Sequence, residues 1–86
     1  MKKQKVAIVT AASKGIGAAC ATQLASEGYK LVLMSRSDSL FALCDQLNAR
    51  PLQGSIEDEN DIARLVGFTY EKYGRIDAVV CNTGHA

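Results

Sequence analysis

Thr10-Ala11-Ala12-Ser13-Lys14-Gly15-Ile16-Gly17 follows the apolar run Val6-Ala7-Ile8-Val9 and opens an alanine-rich amphipathic segment. A four-residue apolar run reads as a strand buried on both faces. Ile16, Cys20 and Leu24 then recur at helical spacing, with Ala21 and Ala25 allowing close approach to a sheet. The glycines between them sit where backbone must turn sharply and come close to something. A helix that starts there points free N–H groups and the positive end of its dipole at whatever occupies the turn. Strand, glycine turn and helix together make an anion site. The plainer reading is a tight strand-to-helix connection with no ligand.

The remaining chain alternates in the same way, the pattern of a parallel sheet with crossover helices. Lys5 to Thr10 is the first strand, and Gly28 stops the first helix. Leu31-Val32-Leu33-Met34 is a second buried strand. Ser37 or Asp38 caps a second helix carrying Leu40, Leu43 and Leu47 on one face, ended by Asn48 and Pro51. A shorter third strand lies around Leu52 and Gln53. Asp58 caps a third helix with Ile62, Leu65, Val66, Thr69, Tyr70 and Tyr73 on one stripe, and Gly74 stops it. Ile76 to Cys81 is a fourth strand, and Asn82-Thr83-Gly84 is the loop at its carboxyl end. Right-handed crossovers place the strands in the order 3-2-1-4, the first part of a doubly wound α/β sheet. The fourth strand is then an open edge, available for association, and only the third helix covers one sheet face.

Composition narrows the function classes. At 86 residues the chain is at most one domain, with a thin core. A formal charge of +1 with 22% charged residues leaves no basic surplus for nucleic acid or an acidic membrane surface. No stretch reaches the length of a membrane span. The basic start Met1-Lys2-Lys3-Gln4-Lys5 before an apolar run has the first two parts of a secretory signal, but the run is minimal and passes straight into the glycine turn. Cys20, Cys44 and Cys81 are odd in number and widely spaced, which suits buried reduced thiols and the cytoplasm better than disulfides or zinc. No metal site is expected.

Thr10 to Gly17 resembles the Thr-Gly-x-x-x-Gly-x-Gly signature of the short-chain dehydrogenase/reductase family. The second half is intact, and Ala11 stands where the family usually has its first glycine. If that turn needs a positive φ, alanine costs about 1 kcal/mol or more and crowds a pyrophosphate. The resemblance implies a Rossmann-like, truncated dinucleotide-binding domain over residues 1–86. Ser13, Lys14, Gly15, Ile16 and Gly17 then lie at the pyrophosphate side.

Ser35-Arg36-Ser37 closes the second strand, where a dinucleotide fold meets the adenosine ribose. An acidic residue would accept hydrogen bonds from a free 2′-hydroxyl, whereas arginine pairs with a 2′-phosphate. Ser35, Arg36 and Ser37 therefore favour NADP(H), and Lys14 resembles the basic residue of NADP-dependent family members. Asp38 competes as a ribose ligand but lies past the strand, as a helix cap. Ser55 in Gly54-Ser55-Ile56-Glu57-Asp58 occupies the place of the family's adenine-contacting aspartate, with Ile56 packing on the ring. Cys81-Asn82-Thr83-Gly84 resembles the Asn-Asn-Ala-Gly element, so Asn82 and Gly84 are expected beside the adenosine.

The family's catalytic tyrosine has a lysine four residues on and a serine upstream. Tyr29, Tyr70 and Tyr73 are followed at that distance by Leu33, Gly74 and Asp77, so they read as packing residues and no catalytic residue is expected in this chain. His85 reads as an uninvolved tail residue. The implied function is the NADP(H)-binding amino-terminal part of an oxidoreductase that transfers hydride between NADP(H) and an alcohol or carbonyl compound, cut before its catalytic segment. Two alternatives stay open: a non-catalytic nucleotide-binding or sheet-completing module, and a non-functional remnant.

Overall fold

The computed structural model describes residues 4–10 and 15–81. Their elements run β1 (Val6–Thr10), α1 (Gly15–Ser26), β2 (Lys30–Ser35), α2 (Ser39–Leu47), β3 (Arg50–Gln53), α3 (Glu59–Tyr73) and β4 (Ala78–Val80). The sheet order is β3-β2-β1-β4 with every pair parallel, as the crossover rule predicts. β1 and β2 are central and lack alternation because both faces are covered: all of Val6 to Thr10 and Leu31 to Ser35 are buried.

Side chains alternate across the pleat, so the two faces draw on different residues. Ala7, Val9, Leu31 and Leu33 pack with Ala21 of α1 and with Leu40 and Cys44 of α2. Ile8, Val32 and Met34 pack on the other face against Leu65 of α3, with Phe68, Tyr73 and Ile76 at the margin. The first face carries two helices and the second one.

That asymmetry corrects the expected α3 stripe. Leu65 and Thr69 are buried, but Ile62, Val66 and Tyr70 are exposed, Tyr70 by 53%. A single helix crossing a four-stranded sheet can seat only the residues directly over β2, and its flanks stay in solvent. Val79, which pairs with Ile8 on this face, is likewise 53% exposed. The expectation of an under-covered face is met.

Helix ends follow the local signals with two changes. Asp58 accepts a hydrogen bond from the Asn60 N–H at 2.8 Å, and Asn48 and Gly74 close α2 and α3 in the left-handed conformation. At α2 the Asp38 side chain makes no cap hydrogen bond; the Ser37 hydroxyl accepts from the Ser39 N–H at 3.2 Å instead. Pro51, expected as a helix stop, lies inside β3. It is tolerated there because β3 is an edge strand and needs ladder bonds on one side only.

The cysteines are free, but only Cys44 is buried, with its thiol pushed up to about 11 chiefly by burial and then by Asp45. Cys20 is half-buried. Cys81 is exposed, contrary to the expectation, because it follows the open edge strand.

At the amino end of the sheet Asp77 ties the start of β1 to the loop between α3 and β4. Its Oδ2 accepts from the Val6 N–H at 2.8 Å and from Arg75 Nε at 2.8 Å, and its Oδ1 accepts from Arg75 Nη2 at 2.6 Å. The Arg75 guanidinium first, and the Val6 N–H next, hold its carboxyl below the usual range. A carboxyl with a depressed folded pKa contributes stability that is complete above its unfolded value, near about 3.9, and is lost as pH falls through the folded value. Thermal melts of the native chain and Asp77→Asn are therefore expected to differ by a constant amount at pH 5–7 and to converge below about pH 4. A gap that does not narrow as pH falls below about 4 would remove ionised Asp77 from the account.

Candidate functional site

Because all strands run the same way, Thr10, Ser35 and Gln53 end β1, β2 and β3 on one edge of the sheet, with Ser35 opposite Gln53 in the register. The loops that leave this edge carry the expected ligand-binding residues, at the place where open α/β sheets bind their ligands.

Beyond β1, Ser13 and Lys14 lie outside the described residues, as does Ala11. Gly15 begins α1 with φ +63°, a conformation that costs a residue with a Cβ about 1–2 kcal/mol. A Cβ added at Gly15 would meet nothing within 4 Å among the described atoms, so the demand for glycine is conformational rather than steric. Gly17, one turn position further, is buried against the fold. Ile16 between them is 74% exposed, a large apolar side chain standing at the helix mouth. The leading N–H groups of a helix have no acceptors within it, and here they open toward the loop edge.

Beyond β2, the three residues expected at the ribose divide their work. Ser35 is buried, and its hydroxyl accepts from the Ser37 N–H at 3.2 Å, which shapes the turn. Arg36 and Ser37 are exposed. Among the described residues, no carboxylate pairs with the Arg36 guanidinium; the ion pairs there are Arg64–Asp61 and Arg75–Asp77. The Ser37 hydroxyl is engaged with Ser39.

Beyond β3, the Gly54 N–H donates to the Ser35 carbonyl at 3.0 Å, joining the two loops. Asp61 of α3 reaches back: its Oδ2 accepts from the Ser55 N–H at 2.9 Å and its Oδ1 from Arg64 at 2.9 Å. The Ser55 N–H first, and Arg64 second, hold the Asp61 carboxyl below its ordinary value. A Cβ on Gly54 would lie 2.8 Å from that Asp61 oxygen, so glycine is what lets the carboxylate close on the loop. Ser55 and Ile56 are half-buried beside it.

Gln53 links these loops further. Its Nε2 donates to the Arg36 carbonyl at 3.0 Å and to Asp38 Oδ1 at 2.8 Å, while its own carbonyl accepts from Arg64 at 3.3 Å. Gln53, Asp61 and Arg64 were not legible as site residues. The spacing of Asp61 and Arg64 shows a helical ion pair, but nothing local shows that both turn toward the loops. Asn82 and Gly84, expected beside the adenosine, lie outside the described residues, as does His85. Thr10 donates its hydroxyl to the Val80 carbonyl at 3.4 Å, fastening the end of β1 to β4 just before that segment.

Two absences hold among the described residues. No group of His, Cys, Asp and Glu could hold a metal ion, and no helix is long and apolar enough to cross a membrane. An open depression lined by Gln4, Lys30, Tyr73, Arg75 and Asp77 lies at the opposite, amino edge of the sheet, away from Gly15 and Arg36.

A family model for short chain dehydrogenase matches residues 5–86. The 1,6-dihydroxycyclohexa-2,4-diene-1-carboxylate dehydrogenase of Pseudomonas putida is 33% identical over 93% of this chain and 31% of its own length. The glucose 1-dehydrogenase of Gluconobacter oxydans is 38% identical over 94% of this chain and 33% of its own. Among solved structures, an actinorhodin polyketide ketoreductase variant with NADPH superposes with a TM-score of 0.89 at 30% identity, covering 95% of this chain and 34% of that one. A short chain dehydrogenase from Bacillus anthracis gives 0.86 at 30% identity, over 93% of this chain and 35% of that one. The chain thus spans about a third of the length of the relatives it matches.

Proposed function

Since the chain belongs to the short-chain dehydrogenase family, we propose that it is the NADP(H)-binding portion of an oxidoreductase that transfers hydride between NADP(H) and an alcohol or carbonyl compound. The observation that carries the cofactor choice is Arg36: an exposed guanidinium, without a carboxylate partner among the described residues, one position past the end of β2.

The residues fit a dinucleotide. Gly15 supplies the turn that L-residues resist, Gly17 lets α1 sit close to the sheet, and the first N–H groups of α1 suit a pyrophosphate. Ser13 and Lys14 join them on the sequence resemblance. Ile16 offers an apolar surface to a ring. Arg36 pairs with the 2′-phosphate, with Ser35 shaping the turn beneath it and Ser37 beside it. Asn82 and Gly84 complete the adenosine side. The cofactor supplies the hydride chemistry when bound, and this chain's residues bind and orient it. Residues 1–86 form a partial dinucleotide-binding domain in this reading.

No tyrosine here has a lysine four positions on, and the role proposed for this chain is binding and orienting the cofactor. The exposed Val79 on the edge strand β4 favours a further role in association, with a neighbouring strand pairing along Ala78–Val80. Free cysteines fit a reducing compartment, and the cytoplasm is the proposed location.

Calorimetric titration of the folded chain with NADPH and NADH tests the reading. The expected result is tighter binding of NADPH by about tenfold or more, the worth of one charge-assisted contact. No heat of association with either dinucleotide would reject it.

A further inference from the structure

We propose that Gln53 decides which charge the loop after β2 presents to the adenosine ribose, making it a positioning residue for dinucleotide specificity. The proposal rests on the reading of that loop as the ribose site. Within three residues the loop carries a guanidinium and a carboxylate, Arg36 and Asp38. A 2′-phosphate is attracted by the first and repelled by the second, so the loop's preference depends on where each is held.

The parallel register sets Gln53 opposite Ser35, and from there its amide reaches past the strand end into the loop. One nitrogen uses both of its hydrogens: 3.0 Å to the Arg36 carbonyl and 2.8 Å to Asp38 Oδ1. The first bond fixes the backbone from which the guanidinium projects. The second holds the Asp38 carboxylate on the β3 side. Asp38 is not needed at the helix start, since the Ser37 hydroxyl accepts there. Gln53 is itself anchored, because Arg64 donates to its carbonyl and to Asp61, which in turn holds the Ser55 N–H. The ribose loop, the end of β3 and the following loop are one hydrogen-bonded unit.

The test compares dissociation constants for NADPH and NADH in the full chain. Gln53→Met keeps length and removes both donors at an exposed edge position; the NADPH preference is expected to fall by about 3- to 10-fold as Asp38 is released. Adding Asp38→Asn to Gln53→Met is expected to restore it. Asp38→Asn alone is expected to move the preference by less than about twofold, because the carboxylate is already held away. A purely structural role would weaken both dinucleotides equally and leave the preference unmoved.

An unchanged preference in Gln53→Met overturns the proposal while leaving the cofactor reading intact. So does a loss that Asp38→Asn fails to restore, or a large rise from Asp38→Asn alone. Failure of the native chain to bind either dinucleotide overturns both.

Discussion

Replacing Arg36 by aspartate is expected to lower NADPH affinity by about 10- to 100-fold and to leave NADH binding unchanged or improved. A charge-assisted hydrogen bond contributes about 1.5–3 kcal/mol, and each 1.4 kcal/mol is a factor of ten. The change acts twice, removing the guanidinium and placing a carboxylate where it repels a 2′-phosphate and accepts from a 2′-hydroxyl. Arg36 is exposed and makes no ion pair among the described residues, so its loss leaves no buried partner stranded. Its carbonyl, held by Gln53, is unaltered by the substitution. Titration with both dinucleotides reads the outcome. A preference that survives the substitution removes Arg36 from the ribose site.

Leu33→Ala is expected to destabilise the chain by about 2–5 kcal/mol, the cost of deleting buried methyl groups together with the cavity they leave. Leu33 is fully buried in β2, between β1 and β3, and packs in the cluster that includes Leu31, Leu40 and Cys44. Native domains are stable by only about 5–15 kcal/mol, and a chain this short lies toward the lower end. The melting temperature should fall by about 10 °C or more. Val79→Ala supplies the contrast on the same sheet: Val79 is 53% exposed, and a change of less than about 1 kcal/mol is expected. Melts followed by circular dichroism distinguish the two. Equal effects would mean that the sheet is not covered on its two faces as described.

The ribose prediction and the core prediction are linked through β2. The strand buries Leu31 to Met34 and delivers Arg36 just past its end, so the same apolar run that holds the sheet together places that guanidinium at the loop edge. This is why the first strand, the glycine turn and the second strand with its terminal arginine could be read directly from the chain. Each depends on residues adjacent in sequence: Val6 to Val9 before Gly15, and Leu31 to Met34 before Arg36. Their spacing is enforced by backbone geometry alone.

Where local pattern and structure differ, a neighbour distant in sequence intervenes. Pro51 follows the end of α2 as a helix stop does, yet it also occupies a strand, set opposite Leu33 of β2 in an edge strand that needs ladder bonds on one side only. Asp38 is a natural helix cap, yet its carboxylate is drawn to Gln53, which stands across the sheet from Ser35. Tyr70 lies on the apolar stripe of α3 and is nevertheless exposed, because the sheet beneath offers a seat only for Leu65 and its immediate neighbours.

The amino-acid sequence by itself determined the first strand and the helix that follows its glycines, and the strand order 3-2-1-4. Those depend on periodicity, on glycine's access to positive φ and on the handedness of crossovers, all of which act over short stretches of chain. Only the tertiary structure decided how the loop after β2 is held, through Gln53, Arg64 and Asp61, and which side of α3 stays in water. Those features need three loops and two sheet faces brought together, and hydrogen bonds between groups so far apart in sequence leave no pattern in the order of residues.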